Sequence, residues 1–444
     1  MSEWKKVKIG EIFKIEKGSL QSSKCIPGKY DFITAATDWK THESYSHECE
    51  AIVYAVAASG SLGRAHYVKG KFIASDLCFI LTEKNKEKYP INFLFYQLVF
   101  DVLRDEIVSK TKTGTSKESI NQKNFSNYEI PYIPYDYQMN NYKKLVDTKK
   151  TVIKILKEIE SQKAYAKQLR QNILQEAIEG KLTEEWRKEN PVVKGNPDFD
   201  AEALFEKIQV EKCHTDSELP LETSLRIRNS KKKVFEPILE NEQPFEIPEG
   251  WKWVRLGEIC KKITDGTHHS PINTREGDFL YITAKNIKST GIDLSDVTYV
   301  SESIHTEIYS RCNVEFGDIL YIKDGATTGI VCINQIKEPF SLLSSVALLK
   351  TGFNNQFLKF AMESLSFYEQ IRNQMYGVAI TRVTLEKLIK AKIPLPPLAE
   401  QKEIVSRVEK LLANVTELEK QITEREILTK QLMQSIMKDA FREE

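Results

Sequence analysis

The 444-residue sequence has no apolar run of the roughly 18 residues that a membrane-crossing helix needs, so no transmembrane span is expected. Its opening residues, Met1-Ser2-Glu3-Trp4-Lys5-Lys6, hold no apolar signal core. Paired cysteines are missing as well. Cys25, Cys49, Cys78, Cys213, Cys260, Cys312 and Cys332 are scattered, odd in number and form no Cys-x-x-Cys, which reads as reduced thiols in the cytosol. An excess of one charge is also lacking, since 64 Lys+Arg stand against 63 Asp+Glu, a net of +1. A stand-alone DNA binder usually carries a basic surplus that releases counterions. Any DNA contact here must therefore rely on local basic patches, or on partners that supply phosphate contacts.

Chemistry-bearing motifs are equally sparse. No Gly-x-x-x-x-Gly-Lys-Ser/Thr phosphate loop occurs, so ATP binding by this chain is not expected. His268-His269 has no Cys or His partners at ligand spacing, so no metal is expected. Asn196-Pro197-Asp198-Phe199 approximates the Asn-Pro-Pro-Tyr/Phe with which amino-methyltransferases hold a flipped base. Asp198 replaces the second proline and no Gly-rich cofactor loop precedes it, so the match reads as chance.

What is present is a long-period repeat. Trp4-Lys5-Lys6-Val7-Lys8-Ile9-Gly10-Glu11-Ile12 is answered by Trp251-Lys252-Trp253-Val254-Arg255-Leu256-Gly257-Glu258-Ile259. Phe32-Ile33-Thr34-Ala35 is answered by Tyr281-Ile282-Thr283-Ala284, and Ile130-Pro131 by Ile393-Pro394. From there the halves align without a gap: Gln138 falls opposite Gln401, Ile173 opposite Ile436 and Ala177 opposite Ala440. Each half holds short β-type runs with Gly-rich turns, then a helical stretch, a Pro-punctuated segment and a long amphipathic helix. In that helix Val152, Ile155, Ile159, Ala166, Leu169 and Ile173 form one stripe, and Val415, Leu418, Ile422, Leu432 and Ile436 form the other. Two such stripes on one chain most simply bury against each other, as in a coiled coil. Val405, Val408, Leu411 and Leu412 extend the apolar surface, more than one helix pairing hides. Residues 182–247, rich in proline and carrying Lys231-Lys232-Lys233, read as a linker with little packed structure.

Ile393-Pro394-Leu395-Pro396-Pro397-Leu398-Ala399-Glu400-Gln401, with the helix after it, resembles the closing motif of specificity subunits of type I restriction-modification systems. Pro248-Glu249-Gly250-Trp251 through Gly257-Glu258 resembles the opening of their target recognition domains, as do Asp265-Gly266-Thr267-His268-His269-Ser270-Pro271 and Ala284-Lys285-Asn286-Ile287. The first half keeps the Pro spacing and Gln138 but not the Pro-Pro-Leu-Ala-Glu wording, which weakens residue assignments there. The resemblance implies an α+β chain: a target recognition domain over residues 1–140, a central spacer helix over 141–181, the 182–247 linker, a second recognition domain over 248–399 and a C-terminal spacer helix over 400–444. The two helices would form an antiparallel coiled coil between similar domains of mixed β-sheet and helices. It further implies a non-catalytic, cytoplasmic, bacterial or archaeal chain that reads double-stranded DNA as a split site. Two modification (methyltransferase) subunits would dock on the helices, and motor-nuclease restriction subunits would join through them. S-adenosylmethionine, ATP and Mg would be bound by those partners, none by this chain.

DNA-reading side chains must be polar and lie on loops or strand edges. In the first half these criteria select Ser61 and Arg64 in a Gly-bracketed turn, and Lys112, Thr113, Thr115, Ser116 and Lys117 before the Pro segment. In the second half they select Thr267, His268, His269, Lys285, Asn286, Lys323, Thr327, Thr328, Tyr376, Thr381 and Arg382. Arg382 or Lys117 would suit a guanine. Because the loops differ most between the halves, the target is expected to be asymmetric. Other readings remain open at this point: a specificity chain of a methyltransferase-only or other multisubunit restriction system, an enzyme such as a methyltransferase or fused restriction enzyme, which the absent cofactor and nuclease motifs argue against, and a coiled-coil scaffold that reads no DNA.

Overall fold

A computed structural model describes residues 4–57, 60–113, 118–217, 235–372 and 382–439. Two compact units emerge: residues 1–162 with 421–444, and residues 163–420.

In the first unit, alternate side chains of strand His47–Ala55 point to opposite faces of a sheet. Ile52 and Tyr54 enter a core shared with helix Phe93–Val102, while Ala51, Val53 and Ala55 enter a second cluster with Val68, Phe72 and Ile80. The sheet has six strands in the order Phe13–Lys17, Cys78–Glu83, His47–Ala55, Ala65–Ala74, Tyr30–Ile33, Lys40–His42. Tyr30–Ile33 runs parallel to Ala65–Ala74, and the other neighbours are antiparallel. A separate antiparallel pair, Lys6–Lys8 with Glu129–Pro131, ties the start of the domain to the segment before its long helix.

The second unit repeats this order in two pieces. Cys260–Asp265, Val346–Thr351, Ile319–Ile322 and Val331–Ile333 form a four-stranded sheet, and Thr298–Val300, Phe279–Ile282 and Ser341–Leu342 a three-stranded one. Phe279–Ile282 pairs in parallel with Ser341–Leu342, as Tyr30–Ile33 does with Ala65–Ala74. The single strand Ala65–Ala74 thus corresponds to two strands separated by residues 334–340. Period-two burial recurs: Ile319 and Tyr321 enter one cluster, Leu320 and Ile322 another. Lys252–Arg255 pairs with Lys392–Leu395, the counterpart of the first unit's end-tying pair.

The repeat also holds at single hydrogen bonds. Gln138 is fully buried, donating to Ile133 O (2.7 Å) and accepting from Asn92 N (2.7 Å). Gln401, also fully buried, donates to Pro396 O (2.8 Å) and accepts from Asn354 N (3.3 Å). Asn92 and Asn354 each cap a helix. One glutamine therefore locks the Pro segment to the neighbouring helix in both halves.

The long helices span Tyr135–Ile178 and Leu398–Asp439, 44 and 42 residues, or about 65 Å each at 1.5 Å per residue. They pack antiparallel. Within the second unit Arg170 meets Glu419 (3.0 Å), Arg407 donates to Leu182 O (2.7 Å) and Arg187 meets Glu400 (2.6 Å), so one chain number rises as the other falls. Within the first unit Met433 and Ile436 pack against the core that holds Leu145.

Two sequence expectations need correction. The described part of the stretch just after residue 182 is packed: helix Ala201–Ser217 buries Ala201, Leu204 and Ile208, the last two within the second domain's core. Its apolar positions are few and flanked by prolines, which hid the helix. Asn196–Phe199 has a structural use here, because Pro197 O and Asp198 O accept from Leu398 N and Ala399 N (3.1 Å each), satisfying the first donors of the C-terminal helix. Lys231-Lys232-Lys233 lies outside the described residues. Nor do Val405, Val408, Leu411 and Leu412 form an open surface: Val408 is fully buried, and all four belong to a cluster with Trp251, Phe357 and Phe360. Of the stripe residues, Leu169, Leu418 and Leu432 instead face solvent.

Candidate nucleic-acid interface

In each unit some of the candidate residues lie in hydrogen-bonded turns and ionic clusters. In the first, Arg64 donates to Ala35 O (2.8 Å) and Ser61 Oγ (3.2 Å), while Arg104 donates to Leu62 O (2.8 Å) and Gly60 O (3.3 Å). Gly63 sits between them at φ +79°, where a Cβ would lie 2.6 Å from Val108 Cγ2; only glycine suits both demands. Backbone carbonyls satisfy both guanidinium groups in part, and among the described residues neither arginine forms an ion pair. Sequence reading missed Arg104, which lies about forty residues from the loop it holds and carries no local signal. Trp39, 38% exposed, stands edge-on to His66 and donates to its Nδ1 (3.4 Å). Lys112 pairs with Glu118 (2.7 Å) at the base of a two-strand hairpin, Lys112–Thr113 with Ser119–Ile120, and Thr113 donates to Ser119 O (3.4 Å). Thr115, Ser116 and Lys117 lie outside the described residues.

Burial, together with the nearby Arg64, holds the His66 imidazole below its usual range, and burial does the same for His305. Above about pH 6.5 neither the folded nor the unfolded histidine binds a proton, so no stability is lost there. As pH falls below that point the unfolded chain takes up protons first, and the fold loses stability. The melting temperature should therefore drop between about pH 6.5 and 5. His66→Asn should shrink the drop; an unchanged slope would count against this account.

In the second unit a buried carboxylate organises the loops. Asp265 is 2% exposed and lies 2.6 Å from Arg311 Nη2, 3.2 Å from His268 Nε2 and 3.4 Å from Lys323 Nζ. Lys323, also 2% exposed, lies 2.8 Å from Asp324, and Arg382 Nε approaches the other oxygen of Asp324 at 3.2 Å. Arg311 further donates to the carbonyls of Asp265 (2.9 Å) and Gly266 (2.6 Å). His268, Arg311 and Arg382 are thus the exposed ends of one ionic network.

Two expected site residues are turned inward. Lys323 is enclosed and its ammonium faces two carboxylates, so it does not reach the surface. Asn286 is likewise 2% exposed: it accepts from Thr283 N (3.1 Å) and donates to Asp293 O (3.2 Å) and Asp296 O (3.1 Å), bracing its own loop. Lys285 remains exposed beside Asp296 (3.0 Å), away from the Asp265 network. Thr267 exchanges hydrogen bonds with the backbone of exposed His269, and Thr328 closes its turn on Gly325 O (2.7 Å), with Thr327 exposed beside it. Tyr376 and Thr381 lie outside the described residues. Arg311 was missed because its partner is 46 residues away in sequence. Among the described residues no cluster of His, Cys, Asp and Glu forms a metal site, and no helix is long and apolar enough to cross a membrane.

A duplicated α+β domain with polar, cation-bearing loops, carried on paired long helices, fits a nucleic-acid-reading protein. The sequence profile of the type I restriction modification DNA specificity domain matches residues 1–163 and 248–425, and the chain belongs to that family. It is 25% identical over 459 residues to the type I restriction enzyme EcoDI specificity subunit of Escherichia coli, covering all of this chain and 88% of that one. Against the MjaVIII specificity subunit of Methanocaldococcus jannaschii it is 23% identical over 391 residues, covering 86% and 77%. A solved structure from work on complex assembly and conformational transition of the type I system shares the fold, with a TM-score of 0.59 at 17% identity over 100% and 98% of the two chains. The chain is therefore a DNA-target-recognising specificity subunit, non-catalytic in itself.

Proposed function

We propose that each recognition domain reads one half of a bipartite, asymmetric DNA site. The paired helices carry two methyltransferase subunits, with restriction subunits joining through them. S-adenosylmethionine, ATP and Mg²⁺ belong to those partners, not to this chain. The observation that carries the asymmetry is the contrast between the two loop clusters. The first domain offers guanidinium groups held by carbonyls (Arg64, Arg104), and the second offers cations beside carboxylates, Arg311 at buried Asp265 and Arg382 at partly exposed Asp324. Donor sets held so differently do not present one pattern to the major groove.

The test is methylome sequencing of a host expressing the chain with its partner subunits. A non-palindromic split motif is expected, and a palindromic one would overturn the asymmetry. Replacing residues 1–140 by another subunit's first domain should change one half-site and leave the other. Lys112→Ala should weaken binding alike across sequences and lower the salt slope by about one; a base-specific effect would instead make Lys112 a reader.

A further inference from the structure

Hydrogen bonding sets the two domains in register. Ile120 N donates to Val56 O (2.8 Å) as Val383 N does to Lys323 O (2.8 Å), so buried Lys323 occupies the place of buried Val56. Ser19 N donates to Ala74 O (3.1 Å) as Thr267 N does to Leu342 O (2.8 Å). Ala74 and Leu342 hold the same place in the parallel pairing, so buried Asp265 occupies the place of exposed Lys17.

The same fold thus closes this position with valine in one domain, and with a buried lysine between two carboxylates in the other. Burying ions is not an efficient route to stability, because desolvation offsets most of the attraction and well-packed apolar side chains do as well or better. Stability therefore gives no reason for the charged solution. What the network does is hold Arg311 by hydrogen bonds and draw Arg382 alongside Asp324 by charge. Nη2 of Arg311 is taken by three acceptors on Asp265 and Gly266. Both bidentate edges of a guanidinium include that nitrogen, so Arg311 is left as a fixed point charge suited to phosphate. Among the described residues Arg382 has one ionic contact, Nε to Asp324 Oδ1 at 3.2 Å without a hydrogen bond, and its side chain is 60% exposed, leaving the Nη1–Nη2 edge for guanine O6 and N7.

We infer that Asp265, Lys323 and Asp324 form a positioning relay that aims Arg382 at a guanine of the second half-site while Arg311 holds the adjoining phosphate. The inference rests on the reading that this loop cluster faces DNA.

The test uses the full chain assembled with its methyltransferase subunits, selecting duplexes from a pool randomised across both half-sites. The main variant combines Lys323→Val, Asp265→Asn and Asp324→Ala, removing the buried charges together so that none is left unpaired. It loses one positive and two negative charges, so net charge alone predicts equal or tighter binding to every sequence. The relay instead predicts about a tenfold or greater loss of guanine preference at one position of the second half-site, with the first half-site and random-duplex affinity preserved. Asp324→Asn, nearly isosteric, should weaken the same preference, and Arg382→Ala should abolish it.

Unchanged preference in the triple variant and in Asp324→Asn, with Arg382→Ala still relaxed, would overturn the relay and leave the DNA reading standing. Unchanged preference and affinity in both Arg382→Ala and Arg311→Ala would overturn the DNA-facing assignment itself. Uniform loss across the second half-site would mark a folding defect, also against the relay.

Discussion

Glu400→Ala is expected to lower the stability of the second unit by about 3–5 kcal/mol, the usual result of removing one partner from a buried ionic cluster. Glu400 is 2% exposed and accepts from Trp251 Nε1 (2.7 Å), Thr183 Oγ1 (2.7 Å) and Arg187 Nη1 (2.6 Å). These donors come from the start of the second recognition domain and from the segment after the central helix, while Glu400 opens the C-terminal helix. Alanine would leave the buried Trp251 Nε1 without an acceptor, Thr183 with only its longer bond to Gly180 O (3.4 Å), and a half-buried guanidinium without its counter-charge. The melting transition of this unit should fall on the order of 10 °C. Glu400→Gln keeps one acceptor for Trp251 and should lose roughly half as much. An alanine variant melting within about 1 °C of the parent would show that the cluster is dispensable. In the first unit Tyr137 stands where Glu400 does: Trp4 meets its ring edge-on at 5.3 Å, and Trp4 Nε1 is buried without a hydrogen-bond partner among the described residues. Tyr137→Ala should therefore remove an aromatic contact worth about 1 kcal/mol beyond its burial.

Leu428→Asp combined with Leu432→Asp is expected to weaken assembly with the methyltransferase subunits at least about 100-fold, by placing two desolvated charges in an apolar contact. The basis is the exposed apolar side chains of the C-terminal helix, where Ile427, Leu428 and Leu432 are 51%, 56% and 57% exposed. Under the proposed function these side chains are a candidate contact for the methyltransferase subunits. Because these side chains already face solvent, the lone chain should keep its melting temperature and become more soluble. Titration of the purified chain with methyltransferase subunits measures the affinity. An unchanged dissociation constant would mean that this face is not the docking surface.

Much of this protein was legible without coordinates. The glutamines Gln138 and Gln401 were matched by sequence offset alone, and they make the same pair of hydrogen bonds in space. The long helices were visible because a 3.6-residue period repeated over forty residues outweighs local noise. Helix Ala201–Ser217 escaped because, among its described side chains, few apolar ones mark the packed face: Ala201, Leu204 and Ile208, with Phe205 beside them. The candidate loops were found, but their members were not sorted: Lys323 and Asn286 read as exposed polar residues and are enclosed. Arg104 and Arg311 went unnoticed because each acts on a loop more than forty residues away.

The sequence by itself determined the duplication, the domain–helix–domain–helix order and the family, since those live in local periodicity and in motifs whose register needs no third dimension. Only the tertiary structure decided which charges are spent inside. A lysine looks the same in a sequence whether it meets water or two buried carboxylates, and the difference lies in desolvation and distance, which are set by residues far apart along the chain.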